Sequence, residues 1–249
     1  MTALPQAFLD RPLAHRGLHD ERAGIIENSP SAMAAAVAHG YGIELDVQVT
    51  RDGEALVFHD ARLERLTGQD GLVRDHTLAE MTRFPLLGGD EPSASLRDVL
   101  EMVGGRVPVL IELKSQPSED APEDGTLARA VARALSGYDG LAATMCFNPQ
   151  AVAPLREAAP DRALGLVTED FSTLPYLSAA RQDHLNNMTD FDAVGASFIS
   201  HDCKSLHMAP VQSMKARGVP VLTWTIKSPE DAQAALKTAD NITFEGYLP

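Results

Sequence analysis

Seven side chains in the first half of the chain could share one reaction: His15, Arg16, Glu44, Asp46, His59, Glu112 and Lys114. Three carboxylates offer oxygen ligands to a hard divalent cation, Mg²⁺ or Ca²⁺, in preference to zinc or copper. No cysteine cluster competes with them. Arg16 could grip a phosphate through two parallel hydrogen bonds, and Lys114 could add a point charge. Two histidines could divide proton transfer, one as base and one as acid. Together these parts suit cleavage of a phosphodiester. A cation and Arg16 would stabilise charge developing on phosphorus, while the histidines serve nucleophile and leaving group.

The elements that must position these groups are legible from periodicity. In YGIELDVQVTRDGEALVFHD (residues 41–60), Ile43, Leu45, Val47 and Val49 alternate with Glu44, Asp46, Gln48 and Thr50. That period of two puts both acids on one face of a strand. The DG pair turns the chain, and a short apolar run brings His59 back. In VPVLIELK, Val109, Ile111 and Leu113 share one face, and Leu110, Glu112 and Lys114 the other. The apolar face is expected to pack outward on helices and the polar residues to enter a barrel mouth.

Eight strand-like segments are expected near residues 12–15, 42–49, 107–113, 143–147, 163–167, 193–199, 219–226 and 241–244. Helical segments lie between them. NSPSAMAAAVAHG has Ser29 to cap the helix, Pro30 for its first turn and Gly40 to close it. NPQAVAPLREAA starts on Asn148 in the same manner, and SPEDAQAALKTAD repeats the Ser-Pro start. Alternating strands and helices imply right-handed βαβ units and a parallel sheet. Eight units in a chain of 249 residues match a (β/α)8 TIM barrel, whose sites lie at the C-terminal ends of the strands. The rival, an open doubly wound sheet, usually carries a glycine-rich loop after its first strand, and neither GxGxxG nor GxxxxGK[ST] is present. Residues 61–94 are polar and turn-rich. They are expected to form a small insertion after the second strand within one domain spanning 1–249.

Singly, each residue has a plainer reading. Strand acids at alternating positions usually line the solvated face of an antiparallel sheet, and Phe147 or Trp224 would ordinarily be core. The coincidence of histidines, acids and cations at the ends of the first three strands favours a site, because a structural account must explain each one separately.

The formal net charge of −14 argues against nucleic acid as a partner and against an anionic membrane surface. A small anionic substrate stays compatible, because a local cation reverses the field within one site. The two cysteines, Cys146 and Cys203, are far apart and suggest no disulfide framework. The N-terminal stretch has no basic and apolar leader pattern, and no apolar run approaches a membrane span. A cytoplasmic location and no stable membrane anchor are therefore expected. The sequence does not define an oligomeric state.

The motifs AHRG (14–17), ENS (27–29), IELDV (43–47), FHD (58–60), IELK (111–114), CFNP (146–149) and WT (224–225) run in order along nearly the whole chain. In that order the chain resembles the glycerophosphodiester phosphodiesterase family. The resemblance implies a TIM barrel with a small subdomain inserted after the second strand. It implies cleavage of a small-molecule glycerophosphodiester to an alcohol and glycerol 3-phosphate. By position it implies His15 and His59 as the acid/base pair and Arg16 as phosphate ligand. Glu44, Asp46 and Glu112 would be the ligands of Mg²⁺ or Ca²⁺, and Lys114 a substrate or charge-balancing group. Glu27 would stand beside the metal, Asn28 would touch substrate or water, and Phe147 and Trp224 would wall the pocket.

The chain departs from the family pattern in a short insertion and at two further places. Ile226 is followed by Lys227, where the family often has Asn, and the terminal TFEGYLP replaces a common TD followed by Pro. Both touch the pocket rim, and so the choice of alcohol. The neighbouring reading keeps the chemistry but changes the substrate: a phospholipase D-like enzyme acting on lysophospholipids or sphingolipids, with release of a cyclic phosphate as one outcome. A non-catalytic barrel that only binds is the reading from another class. Such a protein would be expected to have lost some of the reactive residues, yet both histidines and all three acids are present.

Overall fold

The computed structural model describes residues 2–115 and 124–249. Its strands, in chain order, are β1 (Leu13–Ala14), β2 (Gly42–Val49), β3 (Ala55–Val57), β4 (Val109–Leu113), β5 (Ala142–Cys146), β6 (Ala163–Thr168), β7 (Phe198–Asp202), β8 (Val221–Ile226) and β9 (Asn241–Phe244). All but β3 pair in parallel in the cycle β1-β2-β4-β5-β6-β7-β8-β9, and β9 pairs back to β1. The sheet therefore closes on itself as a TIM barrel, with helices between successive strands.

The period-two pattern sorts residues between two apolar layers. Ile43, Leu45, Val47, Val109, Ile111 and Leu113 face outward and pack with helix residues such as Met33, Val99 and Val131. Leu13, Leu110, Ala143, Ala163, Phe198 and Leu222 fill the barrel, and Leu4 and Phe8 join them from the N-terminal segment. Gly165 is required here: a Cβ at that position would collide with the Phe198 ring. That ring is fully buried, and truncating a core phenylalanine typically costs about 3–5 kcal/mol.

The expected helix starts occur where the sequence places them. Ser29 accepts from the Ala32 backbone N–H at 3.1 Å at the head of helix Pro30–His39, which Gly40 closes at φ 70°. Asn148 caps helix Pro149–Ala158 in the same way, as does Ser228 for helix Pro229–Ala235. One strand boundary differs from expectation. Residues 193–199 were expected as a strand, but Phe191–Val194 is a helical turn closed by Gly195 at φ 73°, and β7 runs Phe198–Asp202. Gly195 ends a helix instead of interrupting a strand, so the strand starts later and runs on through Ser200 to Asp202.

β3 folds back antiparallel on β2, in register Val47↔Val57. Gly53 turns the chain at φ 78°, and the Phe58 N–H continues the pairing to the Asp46 carbonyl at 3.0 Å. This returns His59 to the mouth of β2. The following segment carries helices Glu64–Thr67 and Leu78–Met81, the second with a reciprocal cap between Thr77 and Glu80. Leu63, Leu66, Val73, Met81 and Leu86 pack there with Ile26, Leu56 and Phe58 as a separate apolar cluster. No helix among the described residues is long and apolar enough to cross a membrane.

Candidate active site

A cavity of about 250 Å³ opens at the C-terminal ends of the strands. His15, Arg16, Glu44, Asp46, His59, Glu112, Lys114, Phe147 and Trp224 all line it. The structure thus brings together nine of the residues that the sequence singled out. Glu27 and Asn28 stand behind this wall, each bonded to a residue in it.

The strand geometry explains the carboxylate cluster. Glu44 and Asp46 share the inner face of β2, and the register Asp46↔Glu112 sets the third acid beside them on β4. All three are buried. Each offers an oxygen within 4.8 Å of those of the other two. Burial, and then the charges of Asp46 and Glu112, push Glu44 well above the usual carboxylate range. Burial also raises Glu112, against the pull of Lys114. Burial opposes ionised Asp46 as well, but Lys114 and then Arg16 outweigh it and hold this carboxyl well below the usual range. Lys114 Nζ sits 2.7 Å from Glu112 Oε1 and 3.5 Å from Asp46 Oδ1. Three buried acids with one lysine and one arginine at hand form a site that a divalent cation would relieve.

The loop after β1 is shaped to present Arg16. Arg16 and Asn28 adopt φ 55° and 57°, unusual for residues with side chains. Gly17, at φ 79°, permits the bend, because a Cβ there would lie 2.8 Å from the Ala32 carbonyl carbon. The Arg16 backbone N–H donates to Glu44 Oε2 at 3.1 Å, and its guanidinium donates to Glu27 Oε1 at 2.7 Å. Asn28 reads Asp46 twice. Its side-chain amide donates to Asp46 Oδ2 at 2.9 Å, and its oxygen accepts from the Asp46 backbone N–H at 3.2 Å.

Each histidine at the mouth has a carboxylate on Nδ1. His59 Nδ1 lies 2.6 Å from Asp60 Oδ1, and His15 Nδ1 lies 2.6 Å from Glu245 Oε2. His15 Nε2 is 4.0 Å from Glu44 Oε2. Burial lowers His59, with Asp46 pulling the other way, so the neutral imidazole is favoured. Arg65 binds both oxygens of Asp60 and continues to both oxygens of Glu27.

On the opposite wall, Phe147 and Trp224 meet edge to face at 5.6 Å. The Trp224 indole N–H donates to the Ser200 carbonyl at 3.0 Å. Ser200 and Thr243 also line the cavity, each with a buried hydroxyl that has no hydrogen-bond partner.

Sequence reasoning missed Ser200, because β7 begins later than expected. It also missed the part of Glu245, although a signal existed: Thr243 faces the cavity, so by alternation Glu245, two residues on, points the same way. Arg65 carried no local signal at all.

A sequence profile described as the Glycerophosphoryl diester phosphodiesterase family matches residues 15–240. A glycerophosphodiester phosphodiesterase of Caldanaerobacter subterraneus is 26% identical over 233 residues, covering 90% of this chain and 89% of that protein. A lysophospholipase D of Rattus norvegicus is 39% identical over a shorter stretch of 80 residues, covering 32% of this chain and 24% of that protein. Among solved structures, a phosphodiesterase of Oleispira antarctica in complex with sn-glycerol-3-phosphate superposes with a TM-score of 0.78. It has 22% identity and covers 96% of this chain and 94% of that one.

Proposed function

The chain belongs to the glycerophosphoryl diester phosphodiesterase family, a family of phosphoric diester hydrolases, and from that premise we propose a metal-dependent reaction at the barrel mouth. The substrate is a small glycerophosphodiester, and the products are an alcohol and glycerol 3-phosphate. The observation that carries this reading is the convergence, in one cavity, of three buried carboxylates, Arg16, Lys114 and two carboxylate-paired histidines. The product bound in the Oleispira antarctica relative accords with it.

Glu44, Asp46 and Glu112 would hold Mg²⁺ or Ca²⁺. Their all-oxygen donor set suits a hard cation, and their crowded negative charge calls for one. When bound, the ion would supply positive charge against a phosphoryl oxygen. Arg16 and Lys114 add fixed charge on the same phosphate, Arg16 being braced by Glu27. Asn28 locks Asp46 in orientation. His59, favoured as the neutral imidazole, accepts a proton from the attacking water. His15, held through Nδ1 by Glu245, returns a proton from Nε2 to the departing alkoxide. The P–O bond to the alcohol breaks as the new P–O bond forms. The unpartnered hydroxyls of Ser200 and Thr243 suit the glycerol oxygens, and Phe147 and Trp224 exclude water from one side. The chain acts as one unit spanning 1–249, in which residues 61–94 brace His59 through Arg65.

The test is product release by the purified protein. With Mg²⁺ or Ca²⁺ it is expected to liberate glycerol 3-phosphate from a glycerophosphodiester, and faster than it cleaves a lysophospholipid. Full activity in the presence of a chelator, or no activity on any phosphodiester with any divalent ion, would sink the reading.

A further inference from the structure

A second group of metal-capable side chains stands at the rim, on the far side of His15 from the carboxylates. We propose that His15, His19 and Glu245 form an inhibitory seat for a borderline transition-metal ion such as Zn²⁺, which withdraws His15 from proton transfer. The effect on catalysis rests on the role proposed for His15 above; the seat itself does not.

The donors already converge. One ligand atom from each of the three residues lies within 4.8 Å of the other two. His15 Nδ1 is 2.6 Å from Glu245 Oε2, and His19 Nε2 is 3.7 Å from the same oxygen. That His19 nitrogen is shielded from solvent and has no hydrogen-bond partner. An ion placed among the three would take the lone pair of that nitrogen. Two imidazoles and one carboxylate select zinc, cobalt, nickel or copper over Mg²⁺ or Ca²⁺. The oxygen-only cluster of Glu44, Asp46 and Glu112 has the opposite selectivity. His15 therefore stands between two seats of different chemistry.

The outer partner of Glu245 explains why the seat can open. The other oxygen of Glu245, Oε1, pairs with Lys227 Nζ at 2.7 Å, and the Lys227 side chain is 68% exposed. The lysine neutralises Glu245 when no ion is bound and is free to turn into water. A groove lined by Leu18, His19, Asp20, Gly246 and Tyr247 adjoins His19 and gives a path to the seat. When the ion binds, the proton shared between His15 Nδ1 and Glu245 is released to solvent and a nitrogen–metal bond replaces it. The remaining ring proton is then fixed on Nε2, and His15 can no longer alternate between donor and acceptor.

The experiment is a titration of the full chain with Co²⁺, read by its visible absorption, with Mg²⁺ present in excess to fill the carboxylate cluster. Wild type is expected to show the bands of a nitrogen-ligated cobalt ion at one equivalent. Losing even an outer partner of a metal ligand typically costs 10–100-fold, so His19→Ala is expected to weaken binding by at least about tenfold. Lys227→Ala is expected to tighten it, which reads the same seat through a residue that is not a ligand. In parallel, Zn²⁺ is titrated into the Mg²⁺-dependent reaction, each variant being compared with its own zinc-free rate. The half-inhibiting concentration is expected to rise with His19→Ala in step with the cobalt affinity. Equal cobalt affinity in wild type and both variants, or equal zinc inhibition with and without His19, would overturn the seat. Cobalt binding through His19 in a protein that cleaves no glycerophosphodiester would support the seat and overturn the proposed function instead.

Discussion

The two histidines at the barrel mouth carry the same local arrangement in opposite surroundings. Each has its Nδ1 2.6 Å from a carboxylate oxygen. On the His59 side that carboxylate, Asp60, is clamped at both oxygens by Arg65, which also grips Glu27, and Glu27 in turn holds Arg16. The proposed base His59, the proposed phosphate ligand Arg16 and the segment 61–94 thus share one network. On the His15 side the carboxylate, Glu245, follows the last strand and faces His19 and an exposed lysine. The contrast teaches that an imidazole–carboxylate pair is only as rigid as the partner of the carboxylate. The His59 pair is built into the fold, and the His15 pair is open to exchange.

The largest expected effect comes from removing an imidazole. His59→Ala should lower kcat by about 10²–10⁴-fold, the usual contribution of a general acid or base, while circular dichroism stays native. An undiminished kcat would take His59 out of the chemistry and leave the comparison without one of its terms.

A third histidine provides the control. His201 lies on β7, fully buried, between the Thr168 hydroxyl at 2.7 Å and the Ser205 hydroxyl at 2.9 Å. Burial lowers its pKa to about 4 from 6.5, so the fold prefers it neutral. The unfolded chain binds this proton first, so the associated stability is complete above about pH 6.5 and is lost as pH falls toward 4. The full loss is about 3 kcal/mol, at ~1.4 kcal/mol per pKa unit. Urea midpoints measured across that window should fall in wild type and fall less in His201→Gln. Parallel curves would show that His201 is not a buried neutral group.

Arg65→Ala sharpens the contrast between the two pairs. It leaves Asp60 and the buried Glu27 short of donors, at a cost of about 1–3 kcal/mol for an unmet buried polar group. Both Tm and kcat are expected to drop. Lys227→Ala, on the other side, removes one exposed ion pair worth ~1 kcal/mol or less, so Tm should fall by no more than about 2–4 °C by the usual scaling. If Lys227→Ala destabilised the protein as much as Arg65→Ala, the distinction between a built-in and an open pair would be lost.

What the sequence showed, and what it hid, follows the same line. The acids of β2 and β4 were legible because inward and outward residues alternate, and the outer ones are nearly all apolar. Ser29-Pro30 and Asn148-Pro149 announced their helices through local capping chemistry. The ordered motifs tied these elements to one site. β7 was misplaced because the stretch before it reads as apolar in either conformation, and only the left-handed Gly195 decides between them. Arg65 was invisible because its four bonds to Asp60 and Glu27 join elements brought together by the folded insertion. Glu245 stood out as a departure from a pattern, and its alternation with Thr243 gave only its direction. Its partner, His15, lies 230 residues away in the chain, and only closure of β9 onto β1 makes them neighbours.

The central claim is that the barrel mouth is a metal-dependent phosphodiesterase site. Phosphorus NMR of a glycerophosphodiester incubated with the protein tests it most directly. With Mg²⁺ or Ca²⁺, the account predicts that the diester signal gives way to that of glycerol 3-phosphate, and that a chelator stops the conversion. A diester signal that persists with every divalent ion, or conversion that continues undiminished in chelator, would contradict it.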